Sequence, residues 1–112
     1  MPPRDLDSIE DMLQASILIQ KFLDGITQEE FLNDAMRQAA VVREIEIIGE
    51  AARRISDQFR VMHQQIPWSQ IIGMRNILIH AYDHVDPIAV WEATQSSIPK
   101  LIRQLISISP ST

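Results

Sequence analysis

Apolar positions along the 112-residue chain recur every three or four residues almost throughout, the period of helices that bury one side. Ile9, Met12, Leu13, Ile17, Ile19, Phe22 and Leu23 predict a first helix from about Asp5 to Asp24, with Gly25 placed to end it. Thr27-Gln-Glu-Glu30 reads as a capping box: the threonine hydroxyl and the glutamate three residues on satisfy free amides at a helix start. A short helix through about Leu32 follows, and Asn33 or Asp34 can cap the next. Val41, Ile45, Ile48, Ala52 and Ile55 then predict one long helix from about Asp34 to His63. Its other side carries Arg43, Glu46, Glu50, Arg53, Arg54 and Asp57, with Glu50 spaced to pair with Arg54. Pro67 suits the first turn of a fourth helix reaching about Tyr82. Asp86-Pro87 opens a last helix with Val90, Trp91, Ile98, Leu101, Ile102, Leu105 and Ile106 on its apolar side, kinked at Pro99. No strand pattern of useful length interrupts the series. The expected fold is an all-α bundle of four main helices and one short one. It forms a single domain over residues 1–112, with 108–112 as a frayed tail.

Composition narrows the class. Apolar residues make up 46% of the chain and charged residues 22%, which is globular rather than disordered. There is no cysteine, so neither a disulfide framework nor a cysteine-bound zinc site can form, and a reducing cytoplasm fits. The first residues carry acids where a signal peptide would carry bases, and no apolar run approaches a membrane span. The net charge of −5 is uneven. Residues 1–34 hold eight acids and two bases, residues 35–65 four acids and five bases, and residues 66–112 three of each. Phosphate contacts supply much of nucleic-acid affinity, so any such site must be local and lie in the middle or C-terminal part.

The helices are also very apolar. Ile17-Leu18-Ile19 and Ile77-Leu78-Ile79 each cover about 200° of a helix, more than one inner side of a small bundle can hide. The surplus points to a partner surface, most simply a symmetric homodimer.

Candidate chemistry gathers at Arg75-Asn-Ile-Leu-Ile-His80-Ala-Tyr82. Arginine offers a rigid fork of donors suited to phosphate, and histidine exchanges a proton near neutral pH. With no cluster of metal ligands beside them, the set fits metal-independent RNA cleavage. There the 2′-hydroxyl is the nucleophile, and the protein moves protons and stabilises a crowded phosphate. Arg75 and His80 stand about 140° apart on an unbroken helix. Either the helix loosens before His80, or a second copy completes the site across a two-fold axis. Taken alone, the pair also fits a structural role, with Tyr82 a half-buried anchor.

Trp68-Ser-Gln-Ile-Ile-Gly-Met-Arg75-Asn76-Ile-Leu-Ile-His80-Ala-Tyr82 resembles the signature of the HepT-like branch of the HEPN superfamily. Ile47-Ile48-Gly49-Glu50-Ala51-Ala52, Phe31-Leu32, Val90-Trp91 and Ile98-Pro99-Lys-Leu101 continue the likeness, which spans about residues 5–107. The resemblance implies a HEPN-type bundle that dimerises so that two Arg-x4-His motifs face one cleft. It further implies a ribonuclease toxin paired with an MntA-type nucleotidyltransferase antitoxin, with no cofactor. Carried over by position, Arg75 and His80 would be catalytic, Asn76 an accessory polar residue, and Tyr82 the acceptor of an AMP group that silences the toxin. An added phosphate beside Arg75 would occupy the arginine and repel RNA. The overall acidity departs from what an RNA-binding chain would favour.

Other readings stay open. Glu50 either approaches the cleft to orient Arg75 or His80, or pairs with Arg54 on a solvated face. His84, with His80 and Asp83 or Asp86, could form a two-histidine metal face, a spacing common by chance. His63 suits a plain helix end. Trp68 and Trp91 read as core anchors rather than base-stacking platforms. Arg43, Arg53, Arg54 and Arg60 read as a solvated face before an RNA-tracking strip. The alternative to an enzyme is a non-catalytic HEPN module that docks a nucleotidyltransferase, and after it a plain structural bundle.

Overall fold

A computed structural model describes residues 3–80 and 84–109, with the side chains of residues 3, 75, 77–80 and 84 outside the described set. Among the described residues, seven helices and one minimal hairpin follow one another: α1 (Pro3–Phe22), α2 (Gln28–Leu32), α3 (Ala35–Arg53), α4 (Asp57–Met62), α5 (Trp68–Leu78), β1 (Ile79–His80), β2 (His84–Val85), α6 (Pro87–Gln95) and α7 (Ser97–Ile108). The architecture is the expected all-α bundle.

The helix starts are chemically local. Gly25 adopts φ 74°, the left-handed conformation that ends α1 at no steric cost. At α2 the Thr27 hydroxyl accepts from the Glu30 amide at 3.2 Å, and the Thr27 amide donates to the Glu30 carboxylate at 2.9 Å. The Thr27 amide, and after it the Thr27 hydroxyl, holds the Glu30 carboxyl below its ordinary range. Asp34 caps α3 by accepting from the Arg37 amide at 3.0 Å, which lowers its pKa too. The Arg37 guanidinium also donates to the Phe22 carbonyl, tying the end of α1 to the start of α3.

Two long helices of the sequence reading are each broken in two. The helix expected from Asp34 to His63 ends at Arg53 and restarts at Asp57. Ser56 caps the new start by accepting from the Phe59 amide at 3.2 Å. Asp5, 1% exposed, holds Ser56 in place by accepting from its amide at 2.9 Å and from its hydroxyl at 2.7 Å. Arg60 reaches back and donates to the last carbonyls of α3, Ala52 at 3.1 Å and Arg53 at 3.2 Å. The last helix breaks at Ser96 rather than kinking at Pro99. Pro99 therefore falls in the first turn of α7, where its missing N–H would have had no helical partner.

α1 and α3 pack along one another, α5 lies against α3, α7 lies against α1, and α6 folds back on α7. Ile9, Met12 and Ile19 of α1 meet Val41, Ile45 and Ile48 of α3 in one core with Phe31, Phe59, Val90, Ile98 and Leu105, all essentially inaccessible to solvent. Trp68 is buried as an anchor, donating its indole N–H to the His63 carbonyl at 3.0 Å, with His63 packed on Phe59. Trp91 is half-buried with its ring tilted against Phe31.

Candidate active site

The helix that carries Arg75 is held by its neighbours at two points. Trp68 fixes its first turn beside α4, and Arg60 fixes α4 to the end of α3. The start of α5 thus lies at the end of α3, and α5 runs back along α3 in the opposite direction. Midway, the two backbones come close at Gly49: a Cβ there would stand 3.5 Å from the Ile72 carbonyl oxygen and 3.7 Å from that of Ile71. Arg75 follows Ile71 by four residues and Ile72 by three, so it continues the line of α5 that runs along α3.

α5 stops at Leu78, shorter than the helix to Tyr82 that the sequence suggested. Ile79 and His80 turn extended and pair antiparallel with His84 and Val85, Ile79 opposite Val85 and His80 opposite His84. Of the two ways to reconcile Arg75 with His80, the loosening of the helix before His80 is therefore the one that occurs within a single chain. Arg75 sits on the last helical turn and His80 on the first strand of the hairpin. Tyr82, the expected AMP acceptor, and Asp83 lie outside the described residues, as do the side chains of Arg75, His80 and His84. The proposed metal face falls outside with them. Asn76 is exposed on α5.

Glu50 is exposed on α3 beside Gly49, and the pairing weighed for it goes elsewhere: Arg54 approaches Asp11 of α1 at 3.6 Å. Arg43, Arg53 and Arg54 are exposed, while Arg60 is turned inward as a cap and leaves any such strip. Glu46, expected on the solvated side of α3, is half-buried and is held by a partner. Its spacing of three residues before Gly49 was the available signal, legible only once Gly49 is known to face α5.

On the other flank of α5, a groove of about 510 Å³ opens between α5, α6 and α7, with Gln70, Met74, Glu92 and Lys100 in its walls. Among the described residues no helix is long and apolar enough to cross a membrane.

Fold and corner together define a small all-α bundle with an arginine and a histidine on either side of a helix-to-hairpin junction. Comparison with known proteins makes this specific: the family described as ribonuclease HepT-like matches residues 12–108, and the chain belongs to it. It is 43% identical over 95 residues to a protein named "Probable ribonuclease HepT" from Thermococcus cleftensis, covering 85% of this chain and 86% of that one. It is 37% identical over 106 residues to "Putative RNase MJ1380" from Methanocaldococcus jannaschii, covering 94% and 97%. No solved structure matches the chain.

Proposed function

We propose that this chain is a metal-independent endoribonuclease acting as the toxin of a toxin–antitoxin pair. Membership of the ribonuclease HepT-like family over residues 12–108 is the observation that carries the reading, and the relatives' names support RNA cleavage. Arg75 binds the scissile phosphate and stabilises the charge that builds on it. His80 moves the proton of the attacking 2′-hydroxyl or of the leaving oxygen. Two copies would bring two such pairs to one cleft, one histidine serving as base and the other as acid. An MntA-type nucleotidyltransferase then silences the enzyme by attaching AMP to Tyr82. The junction at Leu78–Ile79 supports this assignment, because it frees His80 from the helical spacing that would aim it away from Arg75.

The test is RNA cleavage by purified protein and growth on expression. Arg75→Ala and His80→Ala should each abolish cleavage and relieve growth arrest while helicity by circular dichroism stays unchanged. Wild-type cleavage should persist in EDTA. Activity that disappears with chelator and returns with magnesium would overturn the metal-free mechanism. Wild-type protein that neither cuts RNA nor slows growth would favour the docking-module alternative.

A further inference from the structure

Resting on the ribonuclease reading, we infer that Glu46 is the positioning residue for Arg75, a carboxylate across the α3–α5 seam that fixes the phosphate-binding guanidinium. The register of the two helices carries this. They run in opposite directions and meet where Gly49 faces the Ile71 and Ile72 carbonyls, at 3.7 and 3.5 Å from its would-be Cβ. One turn before Gly49 on α3 stands Glu46, and one turn after Ile71 and Ile72 on α5 stands Arg75. The two positions are therefore level.

Direction agrees with level. At about 100° per residue, Glu46 lies about 60° from the direction in which Gly49 faces α5, on the margin of the seam. Around α5 the Arg75 position falls between those of Ile71 and Ile72, about 40° from one and 60° from the other. Burial fits this placement in part: Glu46 is half-buried and engaged with a partner, whereas Glu50 one turn on is exposed, and Glu44, also half-buried, stands on the side of α3 away from the seam. Glu50 stands one turn away from the level of Arg75, about 6 Å along the axis, and about 100° round from Gly49. A carboxylate partly withdrawn from water gains from a cation or donors beside it. An arginine that must meet a phosphate without reorganising gains from a fixed anion behind it, since a fork held in one orientation loses less freedom on binding.

Two readouts test the assignment. In 15N-labelled protein, the Arg75 side-chain Nε–H resonance, identified by its loss in Arg75→Lys, should be shifted from free arginine and protected from exchange. Glu46→Gln should return it toward the free position and remove the protection. Glu44→Gln, about 140° from the seam on the same helix, should leave it in place. In cleavage assays Glu46→Gln should lower kcat by about 100-fold with an unchanged melting temperature. The same substitution in an Arg75→Lys background should cost little more. If Glu46→Gln does not fold, Glu46→Asp reads the same resonance one methylene shorter. An Arg75 resonance indifferent to Glu46 overturns the inference. Wild-type protein with no RNA cleavage overturns the ribonuclease reading instead, and leaves the resonance to decide the pairing.

Discussion

A tyrosine near a catalytic arginine can be an anchor, whose ring matters, or an acceptor, whose hydroxyl matters, and one atom separates the two. Tyr82→Phe deletes that atom and keeps the ring, so an anchor tolerates it in every assay. For an acceptor the outcome splits. Cleavage should survive, since in the proposed mechanism Arg75 and His80 supply charge stabilisation and proton transfer, but protection should fail. Cells co-expressing the nucleotidyltransferase should remain poisoned by Tyr82→Phe. Intact mass after incubation with that partner and ATP should show AMP added to the wild type and not to the mutant. An adduct of equal yield on Tyr82→Phe would place the modification on another residue. The physical logic is electrostatic: a phosphate fixed beside Arg75 occupies the fork that RNA needs and repels an incoming backbone.

Among the elements, α5 carries Arg75 and docks on α3, and Gly49 is where the two backbones meet. A Cβ at Gly49 would stand in ordinary contact distance of the α5 backbone, 3.5 Å from its nearest atom. Gly49→Ala should therefore fit. Helix propensity favours alanine over glycine by about 1 kcal/mol, so the melting temperature should hold or rise and cleavage should be retained. Gly49→Leu has no such space. It should force the helices apart, cost about 2 kcal/mol in a urea melt, and lower cleavage by displacing Arg75 from Glu46. A leucine variant as stable and active as the wild type would mean that close approach at Gly49 does not position the site. Had the long helix continued to His63, α5 would have lacked the corner at Ser56 that turns the chain back along α3.

On the scale of the whole molecule, the bundle is a slab 43 × 31 × 19 Å. Its thickness is about two helix diameters, so most helices have one side in solvent. The apolar surplus expected of Ile17-Leu18-Ile19 proves small in one copy: Ile19 is fully buried, Ile17 half-buried, and Leu18 is 38% exposed. Larger exposed side chains are Met36, Val61, Met62, Ile88 and Ile106, spread over α3, α4, α6 and α7. The side chains of the other run, Ile77-Leu78-Ile79, lie outside the described residues, so the homodimer is argued from the chemistry of a shared cleft. Mixing decides it. Arg75→Ala chains combined with His80→Ala chains should regain part of the wild-type cleavage if one site draws on two copies. Confirmed heterodimers without rescue would show that each cleft is built within one chain.

What the sequence determined by itself is what is settled within about four residues along the chain. Caps belong here: Thr27 with Glu30, Asp34 with the Arg37 amide, Asp86 with Pro87, and Gly25 with its left-handed turn all form where the residues predict. So do the buried stripes through Ile9, Met12 and Ile19 and through Val41, Ile45 and Ile48, because periodicity alone selects one side of a helix. The blocks around Gly49 and Arg75 marked the family for the same reason, as residue types at fixed spacing. Tertiary structure decided whatever required a partner distant in sequence. Asp5, 51 residues away, holds the Ser56 cap that splits the long helix, and Asp11 rather than Glu50 draws Arg54 across to α1. The hairpin with His84 and Val85 ends α5 before His80. Glu46 is half-buried and Glu50 exposed, although the two stand only one turn apart on α3. Helical spacing makes the two equivalent along α3, and only the register against a second helix tells them apart.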